Sequence, residues 1–270
     1  EITSSICKVD LLSDLVAEYP ELQGVMGSYF AKEQGFENDI CLAIREHYLP
    51  TGYESKVPKK PISVAVAIVD KIDTLVGFFG VNEKPTSSKD PFALRRASYG
   101  LIRIIIENSL KLELKDLINY SVNLYKEQGF ELKNDSINKD LILFLRERVK
   151  NYLKDKKIRS DIIESGISSH NSDNFFSLYK KCQTLNKFIN EDIGKNILSS
   201  YKRAFNILEQ EIKKNKFDIK GSPDPILFNQ EEEKILFDEI NEIRKYLSNN
   251  FKSENYEKTL EIMANSKIKT

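Results

Sequence analysis

Residues 61–80 constrain the fold of this 270-residue chain more than any other part of the sequence. Nearly every position in this run is apolar, and a strand of about 5–6 residues would end well before the run does, which favours a helix. The length would suit a membrane span, but Asp70, Lys71 and Asp73 lie inside it, and buried charges are costly in lipid. The sequence therefore predicts a buried helix of a soluble protein.

Helical periodicity continues along most of the chain, so we expect an all-α fold. Apolar residues recur with i, i+3, i+4, i+7 spacing from residue 9 to residue 19, and a second stripe follows Pro20. Asp90 and Pro91 have the form of a helix start, with Asp as N-cap and Pro in the first helical position. The predicted helices cover residues 9–19, 22–30, 38–47, 61–79, 113–128, 136–156, 173–188, 191–214, 230–248 and 253–264, with one more beginning at Asp90.

The length is typical of about two domains. We expect a boundary within residues 110–135, set here between 1–115 and 116–270. Residues 217–229 contain glycine and prolines and are predicted to form a long loop or linker.

Charge is distributed unevenly, although the chain has 41 basic and 41 acidic residues. Residues 51–220 hold 31 basic and 22 acidic side chains, whereas residues 1–50 hold 3 and 9. Clustered lysine and arginine suit a polyanion such as RNA, and the same pattern also arises on ordinary solvated helices. The candidate RNA contacts are Lys89, Arg95, Arg96, Arg103, Arg146, Arg148, Lys202 and Arg203.

Several common kinds of site are absent from the sequence. It contains no P-loop, no dinucleotide-binding glycine motif and no GxSxG nucleophile motif. The three cysteines, Cys7, Cys41 and Cys182, are widely spaced, which argues against a disulfide scaffold or a cysteine zinc site. We expect them to be buried thiols in a reducing compartment.

Two carboxylates on the apolar run need an explanation, because an unpaired buried charge is costly. Asp70 and Asp73 require a partner, for which we consider Lys71, His47, an arginine of another helix, or a metal ion. A salt bridge between helices and a divalent-metal site both stay open at this point. The second histidine, His170, is predicted to lie in an exposed loop.

Four strings stand out by their order and spacing, namely Glu18–Gly27, Glu46–Pro50, Val69–Gly77 and Ser88–Ala97. Together they resemble the β subunit of the bacterial heterotetrameric glycyl-tRNA synthetase. A fifth string, Lys202–Leu208, is similar to the family pattern, although Phe205 is not typical there. The likeness suggests that the chain begins after the amino-terminal domains of such a subunit and stops before its end.

The resemblance implies a tRNA-binding role without catalytic residues in this chain. In that family a separate α subunit holds the class II catalytic core, so glycine, ATP and Mg are expected there and no cofactor is expected here. The implied partners are tRNA-Gly and the α subunit in a cytoplasmic α2β2 assembly, with no membrane. Residues 1–115 resemble a degenerate HD-like helical domain, and residues 116–270 resemble a helical linking region leading into an anticodon-binding domain.

HD phosphohydrolases hold their metal with a histidine, a His-Asp pair and a later aspartate. The resemblance places Glu21, His47 and Asp70 as remnants of such a site, but the His-Asp dipeptide is missing. We therefore expect no metal and no hydrolysis. The alternatives are an HD-type metal-dependent phosphohydrolase, tested by bound metal, and a helical subunit-docking module without RNA contacts.

Overall fold

The computed structural model describes residues 1–169, 173–215, 222–250 and 256–265, so His170 lies outside the described residues. The described part contains α-helices, three short 3-10 helices and no β-strand, which confirms the all-α class. The α-helices are α1 (Ile2–Ile6), α2 (Asp14–Glu18), α3 (Val25–Glu33), α4 (Asn38–Glu46), α5 (Pro61–Gly80), α6 (Leu94–Glu107), α7 (Leu114–Glu127), α8 (Ile137–Asp155), α9 (Ser160–Ser169), α10 (Phe175–Asn190), α11 (Asp192–Asn215), α12 (Glu231–Asn250) and α13 (Tyr256–Asn265). The 3-10 helices are Val9–Leu12, Pro20–Leu22 and Pro225–Leu227.

The chain divides into two compact units, Glu1–Tyr179 and Lys180–Thr270. The boundary set after residue 115 lies inside the first unit, where α6 packs against α8. The assignment of residues 1–115 to an HD-like domain and of 116–270 to a linking and anticodon-binding region stays a prediction.

Helix α5 is the centre of the first unit and packs against α4, α6, α7 and α8. Pro61 occupies its first turn, where a missing amide hydrogen costs nothing, and the helix matches the predicted one to within a residue. Leu75 and Val76 are completely buried, and each such side chain contributes about 1.5–3 kcal/mol to stability. Among the described helices, none is both long and apolar enough to cross a membrane.

The single helix predicted over residues 9–19 is wrong. A 3-10 helix occupies Val9–Leu12, and α2 starts after Ser13, whose hydroxyl accepts a hydrogen bond from the Val16 amide at 3.3 Å. Val16 is buried, but Leu12 is 87% exposed. The stripe is therefore divided by a local cap and does not form one buried face.

The start of α6 also differs from the prediction. The helix begins at Leu94 because Ala93 has a left-handed conformation with φ of 53°, and Pro91 lies in the preceding turn. Asp90 still caps the helix across this turn, since its carboxylate accepts hydrogen bonds from the amides of Leu94 at 2.8 Å and Arg95 at 3.0 Å. The residue was correctly chosen as a cap, but the first helical position was wrong.

In the second unit, α11 and α12 both contact α13. Helix α11 keeps large apolar side chains at its surface, including Tyr201 and Ile207, each 64% exposed. Its bounds agree with the predicted helix over 191–214 to within a residue.

Candidate functional site

A buried carboxylate that the sequence analysis missed fixes the start of α3. Asp10 is 1% exposed, and its Oδ2 accepts hydrogen bonds from the amides of Gly24 at 2.7 Å and Gly27 at 3.0 Å. These amides belong to the first turn of α3, which otherwise has no side-chain cap. No local spacing indicates this cap, because 14 residues separate Asp10 from Gly24.

Gly24 allows α3 to approach the end of α4. Its φ is 75°, and a Cβ atom there would lie 3.0 Å from the carbonyl oxygen of Ile44 and 3.5 Å from Cε1 of His47. Any larger residue would therefore be strained and would push against α4. The close approach of α3 to α4 at Gly24 brings Asp10 and His47 into the same part of the core, although the two residues are far apart in the sequence.

His47 follows α4 and is completely buried. Its Nδ1 lies 2.6 Å from the carbonyl oxygen of Ile44, and because a carbonyl only accepts, Nδ1 carries the proton. Nε2 is left as a buried acceptor without a partner among the described residues. Burial lowers the pKa of His47 and so favours the neutral ring, although the Ile44 hydrogen bond and the Asp70 carboxylate oppose the shift.

Asp70, on α5, pairs with a residue that was not among its predicted partners. Lys8 Nζ lies 2.5 Å from Asp70 Oδ1, and the same ammonium group lies 5.0 Å from the centre of the Tyr48 ring. Burial alone would lower the pKa of Lys8, but the hydrogen bond to Asp70 and the attraction of its negative charge together raise that pKa above its ordinary value. Asp73 is exposed and needs no buried partner, contrary to the expectation.

Lys71, one of the predicted partners of Asp70, forms hydrogen bonds to backbone carbonyl groups instead. It is 4% exposed, and its Nζ donates to the carbonyl oxygens of His47 at 3.4 Å and Tyr48 at 3.2 Å. Burial lowers the pKa of Lys71 to about 8. Helix α6 comes close at Gly100, where a Cβ would lie 3.1 Å from Lys71 Cε.

The three residues proposed as an HD-like remnant have different surroundings. His47 is buried and Asp70 is bound to Lys8, whereas Glu21 lies exposed on the 3-10 helix Pro20–Leu22. In the part of the chain that the structure describes, no three His, Cys, Asp or Glu side chains form a group suited to a metal ion. The polar cluster around Asp10, His47 and Asp70 holds helices together in this structure.

The clearest cationic surface precedes and opens α6. Lys89 and Arg96 are exposed, and neither forms an ion pair within the described residues. Arg95 is turned back, with Nη2 donating to the carbonyl oxygen of Thr86. Phe92 lies between these basic residues in sequence and stacks on Phe78 with ring centres 4.1 Å apart.

Arg103 serves the fold. Its Nη1 donates to the carbonyl oxygens of Gly52, Tyr53 and Ser55 at 3.1, 2.8 and 2.9 Å, and its Nε pairs with Glu107 at 2.8 Å. These bonds fix the loop before α5 and engage the Arg103 guanidinium within the first unit.

The remaining candidates fall into two groups. Arg146 lies 3.8 Å from Asp173, and the Arg148 guanidinium lies 5.0 Å from the centre of the Phe144 ring, so both interact within the first unit. Lys202 and Arg203 are exposed on α11, in the second unit. The structure therefore leaves Lys89, Arg96, Lys202 and Arg203 as the exposed cations among the eight.

Comparison with known proteins confirms the resemblance seen in the sequence. The profile of the family described as glycyl-tRNA synthetase beta subunit matches residues 1–168. Proteins named glycine–tRNA ligase beta subunit from Rickettsia canadensis, Rickettsia africae and Cereibacter sphaeroides are 40%, 40% and 39% identical to the chain, over 97%, 96% and 86% of its length. The alignments cover 37%, 36% and 33% of those proteins, so the chain spans about a third of the length of these curated relatives. The chain belongs to the glycyl-tRNA synthetase beta subunit family.

Proposed function

We propose that this chain is the part of a glycine–tRNA ligase β subunit that holds tRNA-Gly while a separate α subunit attaches glycine. The observation that carries this proposal is the set of exposed cations Lys89, Arg96, Lys202 and Arg203 within the basic segment 51–220. Lysine and arginine at such positions bind phosphate oxygens, which supply most of the affinity for a nucleic acid backbone. The names of the relatives point to the same substrate.

In this proposal the chain contributes binding and orientation. Glycine, ATP and Mg would be held by the α subunit, and this chain would hold the tRNA so that its terminal ribose reaches that centre. Holding a reactant in a productive geometry is itself a large contribution to rate. No residue of this chain is assigned a chemical step.

The test is tRNA-Gly binding at about 50 and 200 mM salt, a range over which several phosphate contacts change affinity steeply. In the double variant Lys89→Glu, Arg96→Glu, we expect weaker binding and a log–log salt slope that is smaller by about 2, one for each lost contact. The matched control is Lys32→Glu, Arg45→Glu, which makes the same charge change at exposed positions of the acidic segment. Equal losses in both variants, or salt-insensitive binding, would contradict the proposal.

Exposed apolar residues near the amino terminus favour a second role, as a contact surface for the α subunit. Leu12 is 87% exposed and Val9 52%, in a segment with an acidic surplus. Val9 and Leu12 are three residues apart on one 3-10 helix, in which side chains at i and i+3 share a face, and contiguous exposed apolar patches are typical of protein interfaces. We expect Leu12→Ser to weaken co-purification with the α subunit and to leave tRNA binding unchanged, and an unaffected association would rule out this surface.

A further inference from the structure

Phe92 presents an aromatic ring at the basic surface. Phe92 is 44% exposed, which is a large fraction for an apolar residue, and its ring stacks on Phe78 with an interplanar angle of 24°. Stacking on Phe78 covers one face of the ring, so the exposed area belongs to the other face and the edge. One face of the Phe92 ring therefore packs on Phe78, and the opposite face is open to a ligand.

The turn that carries Phe92 is held firmly in place. The Thr86 amide donates to the Lys89 carbonyl oxygen at 2.9 Å, and the Ala93 amide donates to the Asp90 carbonyl oxygen at 3.2 Å. Arg95 reaches back to the Thr86 carbonyl oxygen. Such a turn keeps the ring oriented before any ligand arrives, which lowers the entropic cost of binding.

The charged residues close to Phe92 in the sequence favour a polyanion. Lys89 and Arg96 are exposed on either side of Phe92 in the sequence. The one carboxylate in this stretch, Asp90, accepts hydrogen bonds from the Leu94 and Arg95 amides, and its charge is balanced there by the start of α6. An aromatic face flanked by cations is the arrangement that binds unpaired nucleotides, because every base has a π-face and every linkage a phosphate.

We propose that the open face of Phe92 stacks on an unpaired base of the bound tRNA, while Lys89 and Arg96 contact the phosphates next to that base. This inference rests on the proposed tRNA-binding function and assigns it a nucleotide-binding residue. It commits to single-stranded RNA, since a base within a continuous duplex is not available to stack on a side chain.

The first experiment uses a fluorescent reporter, which the sequence makes simple because the chain has no tryptophan. Phe92→Trp keeps an aromatic ring and introduces a single indole. We expect tRNA-Gly and a single-stranded oligonucleotide to quench its fluorescence, and a blunt-ended RNA duplex to leave it unchanged. The control is Tyr29→Trp, at a 54% exposed position of α3 in the acidic segment, where no quenching is expected.

The second experiment measures affinity with Phe92→Leu, which keeps apolar cover over Phe78 but removes the flat ring. We expect tRNA-Gly to bind about tenfold more weakly, which is the size of one lost stacking contact. The salt slope should stay that of the unmodified chain, because the phosphate contacts remain. Phe92→Tyr should restore the affinity, and equal unfolding temperatures would show that the fold is retained.

The outcomes separate this inference from the proposed function. If the unmodified chain does not bind tRNA-Gly, both are overturned. If it binds with a steep salt dependence and Phe92→Leu binds equally well, only the stacking contact is overturned. A Phe92→Leu variant that keeps its tRNA affinity and loses the α subunit would instead place Phe92 at a protein interface and would also overturn it.

Discussion

Asp10 shows how much one buried side chain contributes to this fold. Its carboxylate binds two amides of the first turn of α3, and Gly27 leaves the space that it occupies. A Cβ on Gly27 would lie 3.1 Å from Asp10 Oδ2. The segment before α2 and the start of α3 are therefore joined through one carboxylate.

We expect Asp10→Ala to lower the free energy of unfolding by about 2–4 kcal/mol, because it leaves two buried amides without an acceptor and removes a helix cap. Urea denaturation would measure the loss. Asp14→Ala, an exposed aspartate in the first turn of α2, is the matched control and should cost no more than about 0.5 kcal/mol. Equal effects of the two changes would mean that Asp10 is not a cap.

Lys71 predicts a dependence of stability on pH. Its pKa falls from 10.5 when unfolded to about 8 when folded, so the cost of burying its charge is fully present below pH 8 and is relieved as the pH rises towards 10.5. Lys71→Met removes this cost at every pH, so its stabilising effect relative to the unmodified chain should be larger at pH 7 than at pH 10. The advantage of the variant in unfolding free energy should fall by up to about 3 kcal/mol between the two pH values. Taking the difference cancels the titration of tyrosines and cysteines. A difference that does not vary with pH would show that Lys71 keeps its ordinary pKa.

The residue-level predictions succeeded where the cause is local. Asp90 was recognised as a cap because the amides that it binds are only four and five residues away. The partner of Asp70 is Lys8, 62 residues away in the chain, and no sequence pattern connects the two. Arg103 was chosen as a cation for RNA, but whether an arginine meets phosphate or a neighbouring loop depends on tertiary packing.

At the level of whole helices, the strongest prediction was α5, because its apolar run is long and begins with proline at a permitted position. Helix α9 was not predicted, since its short segment Ser160–Ser169 contains four serines and a glycine, all weak helix formers. Its buried residues Ile162 and Ile163 show that packing overrides that weak propensity. The sequence pattern therefore predicted the core helices but not α9, which is stabilised by packing against its neighbours.

Helix α6 supplies a prediction at this scale. Asp90→Ala should destabilise the first unit by about 0.5–2 kcal/mol and speed hydrogen exchange of the Leu94 and Arg95 amides, which lose their acceptor. Asp90→Asn keeps one of the two acceptor oxygens, so one of the two amides should retain its protection. Unchanged exchange at both amides in Asp90→Ala would contradict the cap.

For the molecule as a whole, we predict that metal has no part in stability. A ligand that binds only the folded state raises the unfolding temperature, and its removal lowers it. We expect EDTA and millimolar Mn²⁺ each to leave the unfolding temperature unchanged. A rise with Mn²⁺ that disappears in Asp70→Asn would instead support the HD-type phosphohydrolase alternative.

The family and the helical class were accessible from the sequence because both depend on strings and periodicities. The sequence did not indicate the division into two compact units, Glu1–Tyr179 and Lys180–Thr270. The reason is that the packing of α6 on α8, on either side of residue 115, leaves no trace in the composition. The exposed cations were found together with engaged ones such as Arg103, since charge alone does not distinguish them.

Two lysines oppose the binding of a metal ion at Asp70. A divalent ion approaching that carboxylate would have to displace Lys8 and would also meet the positive charge of Lys71, whose ammonium bonds two carbonyl oxygens. Removing either lysine alone leaves the other to repel the ion. A divalent ion would therefore bind at this carboxylate only after both lysines had been replaced.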